Sequence, residues 1–571
     1  MQRRQLFKYI GMVPVIYPLS IFANYTNPFS FDDSQLEESI LNQLVFLNDK
    51  SIPLILEKQE KRKDSNNFGG IHDEFDIYTV QSTVNFINTL VCGYCAKSSK
   101  YHHSEELIVP LENAIGFILS KQYPDGTIDL HTTNFHSTPD TAFMVEPLTV
   151  VYKITDTPEF KSDAFKERLK EFLQNAGKAL TVGGIHTANH RWVVAMALAR
   201  LNNLFPDPKY IARIDEWLAE KIDIDPDGQY AERSTMTYTP LVNRCFMTIA
   251  RLLKRSELYE PVRKNLGMSL YYMHPNGEVV TESSRRQDQY QQGTMSAYYF
   301  PYRYMALNDN DRDFAAMTLY MEKTYPQELV SWLLYLLEDA SLWLPLPRPS
   351  ILPSNYVKEF PYSDLIRIRR NEMDATIIAR NPSFFSFYKE NAVLQGIRLA
   401  AAFFGKGQFD SEKIEKEGDT YILRKSLRGV YYQPYPKELL PEDGDWNKMP
   451  RSNRPESEIQ EFHYEVRIRE KDDGFELTIK ISGTDNVPVA MELAFRKGGT
   501  VSGVRTVDHT PDTYLLEKGM GQYQYDDQSI TFGPGMAEHS WTVLRGALPK
   551  SDAMCVYLTG FTPFEKTIVI K

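Results

Sequence analysis

The chain has 571 residues and a formal net charge of -11 at pH 7, with 42% hydrophobic and 24% charged residues. This length exceeds that of one ordinary core, so we expect a soluble globular protein of at least two domains. The acidic balance, without a Lys/Arg-rich run, excludes a nucleic-acid-binding protein. It does not exclude an acidic ligand, because binding depends on the local field in a cleft.

The N-terminus predicts a targeting segment. Three basic residues within the first eight precede an apolar run over residues 10–23 that contains two prolines. This is the order of a signal peptide, and the run is too short and too interrupted to span a bilayer stably. We therefore expect a signal peptide over residues 1–23. After its removal, the protein is expected to be periplasmic or secreted and not inserted in a membrane.

A glycine-containing turn recurs along the first half of the chain. The five turns are residues 68–72, 124–128, 182–186, 226–230 and 275–279. Recurrence at this period indicates one supersecondary unit used repeatedly, with a turn glycine that supplies a positive φ. Between the turns the apolar spacing is helical, and segments such as 192–201 are apolar around most of their circumference. The pattern predicts five or six hairpins of a buried inner and an amphipathic outer helix.

The pattern changes at a proline-dense stretch, residues 344–358. Beyond it the apolar period becomes two, and short β-branched or aromatic runs are separated by Gly, Asp, Asn and Pro. We therefore predict an incomplete α/α toroid over residues 24–345. An antiparallel β-sandwich is predicted over residues 346–571.

Polar residues follow the glycine turns, and the toroid gathers them at one rim. Asn189 and His190 follow one turn, and Glu232 and Tyr238 follow the next. Taken singly, Asn189 is explained as a helix N-cap, and Glu232 as a cap or as an ion-pair partner of Arg233. Neither explanation accounts for polar groups at the same place in successive repeats.

This set of groups suits β-elimination from a 1,4-linked uronate. The proton at C5 is acidified by the neighbouring carboxyl group, whose charge an amide and a cation must neutralise. Asn189 with an arginine, either Arg191, Arg233 or Arg285, fits that role. His190 fits the base at near-neutral pH, and Tyr238 fits the acid, or both base and acid if neighbouring arginines lower its pKa. The predicted catalytic residues are therefore Asn189, His190 and Tyr238.

A second group of residues is expected to bind the sugar chain. Arginines hold carboxyl groups, and the rings of Trp192, Tyr230 and Tyr290 stack on sugar faces. The predicted substrate-binding residues are His136, Arg191, Trp192, Tyr230, Glu232, Arg233, Arg285, Arg286, Gln287 and Tyr290. No His/Cys cluster has ligand spacing, so no cofactor and no metal ligand is predicted, and the sequence leaves the presence of a structural metal open.

The two motifs carry a family resemblance. Asn-His at the start of an inner helix, followed about fifty residues later by Asp-Gly-x-x-x-Glu-x-Ser-x-x-x-Tyr, resembles the heparinase II/III-like polysaccharide lyases and their alginate-lyase relatives. Chondroitin AC and hyaluronate lyases are similar in toroid and residue set. The resemblance implies a toroid followed by a β-sandwich, and an acidic polysaccharide or oligosaccharide substrate. It also implies that Asn189 neutralises the carboxylate, that His190 is base or neutraliser, and that Tyr238 is acid and base.

Two other classes of function remain open at this point. The first is a glycoside hydrolase on the same toroid, with Asp140 and Glu232 as paired carboxylates. The second is a non-catalytic glycan-binding protein that uses the aromatic and arginine side chains. Elimination gives an unsaturated sugar that absorbs in the near ultraviolet, whereas hydrolysis does not. The sequence leaves the particular uronate and endo or exo action open.

Overall fold

The computed structural model describes residues 40–571, which divide into two compact units. Within the described residues, the first unit comprises 40–272 and 284–352, and the second comprises 273–283 and 353–571. The division lies inside the proline-dense stretch, a few residues beyond the expected boundary. Residues 273–283, which contain the fifth turn, belong to the second unit. The sequence did not predict this assignment. The expected signal peptide, residues 1–23, lies outside the described residues.

The first unit is helical, with two short β-hairpins. Its helices are α1 (Ile40–Lys58), α2 (Val80–Cys95), α3 (Ile108–Ser120), α4 (Thr138–Thr155), α5 (Asp163–Val182), α6 (His190–Leu204), α7 (Pro208–Ala219), α8 (Tyr238–Leu253), α9 (Tyr259–Ser269), α10 (Tyr299–Asp309), α11 (Arg312–Thr324), α12 (Pro326–Leu329) and α13 (Leu333–Glu338). The hairpin strands are β1 (Ile71–His72), β2 (Tyr78–Thr79), β3 (Ile128–Leu130) and β4 (Asn134–Ser137). Between residues 40 and 571, no helix has both the length and the apolar composition that a membrane crossing requires.

The helices form two layers. Helices α2, α4, α6, α8 and α10 pack in succession, while α3, α5 and α7 pack outside them. Twelve of the 15 residues of α6 are buried, against two of 12 in α7, because α6 is covered on both sides and α7 on one. This double layer is the arrangement predicted for the toroid. It brings the starts of the inner helices, with the loops that precede them, to one end.

The turn glycines allow a close approach between these loops and the outer helices. Gly126 and Gly228 have φ values of +88° and +106°. A Cβ at Gly228 would lie 2.7 Å from the carbonyl oxygen of Lys264 in α9. The expectation of a positive φ is wrong at Gly184, and in the first turn the left-handed residue is Gly69 instead of Gly70.

Replacing Gly228 by alanine is therefore expected to lower the free energy of unfolding by about 1–3 kcal/mol, the cost of a forced left-handed residue. Gly184→Ala is the matched control, because a Cβ there meets nothing within 4 Å. Urea denaturation of both variants checks this. Equal stability of the two would contradict the role assigned to the Gly228 turn.

The second unit consists of two sheets. Its strands are β5 (Asn355–Phe360), β6 (Leu365–Arg370), β7 (Met373–Ile378), β8 (Phe385–Lys389), β9 (Ala392–Ala401), β10 (Gly407–Gln408), β11 (Ile414–Glu417), β12 (Thr420–Tyr432), β13 (Glu456–Lys471), β14 (Gly474–Gly483), β15 (Pro488–Phe495), β16 (Thr500–Ser502), β17 (Arg505–Thr506), β18 (Thr513–Leu515), β19 (Gly521–Tyr525), β20 (Gln528–Gly533), β21 (Met554–Phe561) and β22 (Phe564–Ile570).

One sheet has the order β17-β18-β21-β15-β9-β8-β7-β6-β5, with β10 beside β9, and the other has the order β11-β12-β13-β14-β22-β20-β19-β16. Neighbouring strands are antiparallel except β18 and β21, which are parallel. Rings of the two sheets meet in the core: Phe385 lies 5.4 Å from Phe475, and Phe495 lies 4.7 Å from Phe532. The prediction of an antiparallel sandwich is confirmed.

A buried ionic cluster explains why residues 273–283 belong to the second unit. The His274 ring lies between Asp374, 3.0 Å from Nδ1, and Glu282, 3.2 Å from Nε2, and stacks on Tyr388 at 3.5 Å. Arg367 binds Asp374 as well. Burial alone would lower the pKa of His274, but the two carboxylates outweigh it and raise that pKa. Removing one partner of such a cluster leaves an uncompensated buried charge, so the segment is held firmly.

Candidate functional site

The start of α6 places Asn189 against the next repeat. Asn189 occupies the N-cap position, with φ -65° and ψ -26°, but its side chain makes no capping hydrogen bond. Instead Nδ2 donates to Oε2 of Glu232 at 2.6 Å, and the backbone N–H donates to the same oxygen at 3.3 Å. The interpretation of Asn189 as a simple N-cap is therefore wrong. Its side chain joins the α6 loop to the α8 loop.

Glu232 connects the α6 and α8 loops to a third loop, residues 284–291. Its Oε1 lies 3.4 Å from Nε of Arg286, an ion pair in which the Glu232 side chain is largely buried and about a third of the Arg286 side chain is exposed. The guanidinium of Arg286 also lies 5.5 Å from the centre of the Tyr238 ring. One arginine therefore contacts two residues of the second motif, Glu232 and Tyr238.

Tyr238 is the first residue of α8, and its phenol is covered by Gln287. Nε2 of Gln287, an exposed residue, donates to the phenol oxygen at 2.6 Å. Burial raises the pKa of Tyr238, and the lowering effects of Arg286 and of the Gln287 hydrogen bond do not reverse this. Tyr238 therefore carries its proton at neutral pH. A role of Tyr238 as base required a lowered pKa, and the pKa of Tyr238 is raised instead.

His190 lies beside this group in a largely apolar environment. Its ring meets His186 edge-on at 4.7 Å and Phe143 at 6.0 Å. Burial, the His186 ring and the Arg286 charge lower the pKa of His190 to about 3. The imidazole is therefore neutral at physiological pH, with a pKa far below the near-neutral value that suggested it as the base.

This shift predicts a pH dependence of stability. In the unfolded chain His190 takes up a proton below about pH 6.5, whereas the folded protein keeps it neutral down to about pH 3. The unfolded state thus binds more protons in this window, so the free energy of unfolding should fall on acidification by up to about 1.4 kcal/mol per pH unit from this residue. Urea titrations from pH 7 to pH 5 should show a shallower dependence for His190→Gln.

His131→Gln, at an exposed position beside β3, is the matched control and should retain the wild-type pH dependence. Identical pH dependence in wild type and His190→Gln would show that His190 is not held neutral by its surroundings.

Asp288 fixes the geometry of the third loop, and sequence reasoning missed it. Its buried carboxylate accepts hydrogen bonds from Ser234 Oγ at 3.0 Å, from the Met236 N–H at 3.0 Å and from Ser284 Oγ at 2.6 Å. Ser234 Oγ in turn accepts from the Tyr238 N–H at 3.0 Å. Asp288 therefore holds the start of α8 against the loop that carries Arg286 and Gln287. No local pattern in the sequence marks it, because two of its three partners, Ser234 and Met236, are about fifty residues away.

The cluster contains several buried polar atoms without a hydrogen-bond partner. They are Asn189 Oδ1, His190 Nδ1, Glu232 Oε1 and Arg286 Nε. Buried polar groups are nearly always paired, and each exception calls for an explanation. The ion pair between Glu232 Oε1 and Arg286 Nε at 3.4 Å accounts for two of these atoms, which leaves Asn189 Oδ1 and His190 Nδ1, on adjacent residues, without a partner. Such an arrangement suits a polar ligand that supplies the missing partners.

Two predicted sugar-stacking rings are in the core. Trp192 is 1% exposed and packs on Phe246, with ring centres 4.8 Å apart. Tyr230 is 2% exposed, and its hydroxyl donates to Asn243. The prediction that these rings stack on a sugar is therefore wrong, since no ring face is available.

Arg191 also differs from the expectation. It forms ion pairs with Glu220 and Asp223, both at 3.2 Å, and its guanidinium stacks on Trp192. Successive residues of a helix point about 100° apart, so Arg191 cannot share the direction of Asn189. The arginine that contacts Glu232 and Tyr238 is Arg286.

The remaining predicted residues lie outside the helices, His136 in strand β4 and the others on loops. His136 is exposed, stacks on Tyr123 at 3.8 Å and bonds Asp125 at 2.9 Å. The carbonyl of Arg233 accepts from the Arg285 N–H at 2.8 Å, which joins the second and third loops. The non-glycine residues with a left-handed backbone among the predicted set are His136, Arg233 and Tyr290, with φ of +47°, +48° and +62°. Such conformations concentrate at functional sites.

Comparison with known proteins shows what this fold is similar to. No protein-family model matches the chain, and no curated protein sequence is significantly similar. A solved xanthan lyase of Paenibacillus aligns with a TM-score of 0.55 and 10% identity, over 95% of this chain and 57% of that one. The chondroitin AC lyase of Streptomyces coelicolor A3 aligns with a TM-score of 0.51 and 12% identity, over 95% of this chain and 80% of that one.

These similarities establish the fold. The chain has a helical toroid followed by an antiparallel β-sandwich, the architecture of these polysaccharide lyases, which confirms the predicted fold class. It spans little more than half the length of the xanthan lyase.

Proposed function

We propose that this protein is a polysaccharide lyase that cleaves a uronic-acid-containing glycan by β-elimination. The observation that carries the proposal is the pair of buried atoms without a partner, Asn189 Oδ1 and His190 Nδ1, beside the Glu232–Arg286 ion pair whose arginine lies over the ring of Tyr238. The group contains an amide, an imidazole, a guanidinium and a protonated phenol. These are the groups that elimination from a uronate requires. The fold, which is similar to that of xanthan and chondroitin AC lyases, agrees with this proposal.

Asn189 and Arg286 hold the uronate carboxyl group in this proposal. Elimination moves negative charge onto that carboxyl as the C5 proton leaves, and donors placed where charge develops lower the barrier. Arg286 supplies a cation, and Asn189, whose amide Glu232 orients through one N–H of Nδ2 at 2.6 Å, donates the other N–H to the carboxyl group. Because Glu232 already binds both side chains, it acts as the residue that positions them.

His190 is the base in this proposal, and Tyr238 is the acid. His190 Nδ1 is buried without a partner, and the imidazole is neutral, so it can accept a proton. A bound uronate brings a negative charge beside it, which raises the pKa of His190 and strengthens the base when substrate is present. As the C5–H bond breaks, its electrons form the C4=C5 double bond and the C4–O bond breaks. Tyr238 gives its proton to the departing oxygen.

A panel of uronic-acid polysaccharides tests the proposal. Alginate, polygalacturonate, chondroitin sulfate, hyaluronan and xanthan are incubated separately with the protein while near-ultraviolet absorbance is followed. We expect one or more of them to give rising absorbance from the new double bond. New reducing ends without that absorbance would indicate hydrolysis, and no change with any polymer would leave the site without the proposed activity.

A further inference from the structure

A second surface with the chemistry of a glycan-binding site lies on the β-sandwich unit. It is formed by the end of β12, by the connection from β12 to β13, residues 433–455, and by Phe404 between β9 and β10. We call it the aromatic platform; it comprises Phe404, Tyr431, Tyr432, Tyr435, Trp446 and Arg454. Four of these rings, those of Phe404, Tyr431, Tyr432 and Trp446, are exposed. Large exposed apolar groups that cluster in this way mark interaction sites on soluble proteins.

The first half of the platform is built around Phe404. Phe404 has a φ of +48°, an unusual conformation for a bulky residue. Its ring lies against Gly429, where a Cβ would come within 2.3 Å of it, and 5.3 Å from the ring of Tyr431. The left-handed backbone of Phe404 and the lack of a side chain at Gly429 together place the Phe404 ring against β12 while leaving it exposed. Strain of this kind is retained where a function depends on it.

The second half is a cation held between two rings. The Arg454 guanidinium lies 4.7 Å from the centres of both Tyr435 and Trp446. Its Nε donates to the carbonyl of Gln433 at 2.7 Å, which fixes its orientation. Across residues 40–571, no carboxylate forms an ion pair with Arg454. The hydroxyl of Tyr435, a residue more than nine-tenths buried, has no hydrogen-bond partner.

We propose that the aromatic platform binds a stretch of acidic glycan. Exposed ring faces offer apolar contact to the C–H faces of sugar rings, and aromatic side chains do so at a small entropic cost. The Arg454 cation without a carboxylate partner fits a uronate or sulfate group, and the Tyr435 hydroxyl offers a further hydrogen bond. The platform carries two pairs of rings, Phe404 with Tyr431 and Tyr435 with Trp446, so it offers contact positions for more than one sugar ring. The choice of an acidic glycan rests on the proposed function.

The test is native affinity electrophoresis of the full chain in gels that contain alginate, polygalacturonate, chondroitin sulfate, hyaluronan or xanthan. We expect at least one polymer to retard the wild type. The variant Tyr431→Ala/Trp446→Ala should bind that polymer about tenfold more weakly, as expected for the loss of exposed aromatic anchors. Trp541→Ala is the matched control, because Trp541 is 47% exposed on the same unit, against 50% for Trp446. Melting temperatures verify that all variants are folded.

The gel assay needs no catalysis, so it separates this inference from the proposed function. If Tyr431→Ala/Trp446→Ala is retarded as strongly as the wild type, or if no polymer retards the wild type, the platform is not a glycan site. If light scattering shows that the substitutions change the oligomeric state, and glycan retardation is unaffected, the surface is instead an interface between copies. Cleavage activity without platform-dependent binding would overturn only this inference. Platform-dependent binding without cleavage would overturn only the lyase proposal.

Discussion

Replacing Tyr238 by phenylalanine is expected to lower kcat by about 100- to 10,000-fold, the usual contribution of a positioned proton donor. The substitution keeps the ring over which Arg286 lies and removes only the hydroxyl that Gln287 contacts at 2.6 Å. Because Asn189, Arg286 and His190 remain, binding of the glycan should persist. Initial rates of near-ultraviolet absorbance, together with affinity electrophoresis, measure the two properties separately.

Tyr302→Phe is the matched control for this result. Tyr302 is also buried, and its hydroxyl donates to the Leu266 carbonyl at 2.8 Å, in the helical packing of α9 and α10. Its loss should lower stability modestly and leave kcat unchanged. Full activity in Tyr238→Phe would remove Tyr238 from the proton-transfer steps, and equal losses in both variants would attribute the effect to stability.

Replacing Asn189 by alanine is the second change with a large expected effect. The variant loses the amide that we propose to bind the uronate carboxyl, and it frees Glu232 from its 2.6 Å partner. Loss of one donor to developing charge costs about 100- to 1,000-fold in kcat. The unpaired Glu232 oxygen should also lower the free energy of unfolding by about 1–3 kcal/mol. Steady-state kinetics below the melting temperature, with urea denaturation, measure both effects.

Asn203→Ala provides the control, because Asn203 is exposed near the other end of the same helix. It should change neither kcat nor stability appreciably. A loss of stability in Asn189→Ala without a loss of kcat would show that Asn189 only supports the fold. That outcome would contradict its proposed contact with the substrate.

The sequence predicted the parts of this site that depend on local pattern. The glycine turns and helical periods placed Asn189, His190 and Tyr238 at the starts of inner helices, and α6 and α8 begin at His190 and Tyr238. Because inner helices of successive repeats are neighbours in a toroid, the two loops meet. The Asn189–Glu232 hydrogen bond shows this contact directly.

What the sequence could not predict depends on direction and on long-range pairing. Trp192 and Arg191 follow His190 in sequence, but the helical rotation turns them into the core and toward outer carboxylates. Asp288 was missed because its role is defined only by partners that folding brings to it. The low pKa of His190 arises from burial, which a turn motif does not specify.

The fifth turn was assigned to the toroid for a similar reason. Its Gly277 has a positive φ like those of Gly126 and Gly228, so locally it resembles the other turns. The ionic cluster of His274 with Asp374 and Glu282 determines the unit to which it belongs. Asp374 lies a hundred residues further along the chain, and no periodicity connects the two.

The most direct test of the central claim is the mass of the products formed from a defined acidic oligosaccharide. Elimination adds no water, so the masses of the two fragments should sum to that of the substrate, and the new non-reducing end should carry the double bond. Fragments that together exceed the substrate by one water would mean hydrolysis, and the elimination chemistry assigned to His190 and Tyr238 would then be wrong.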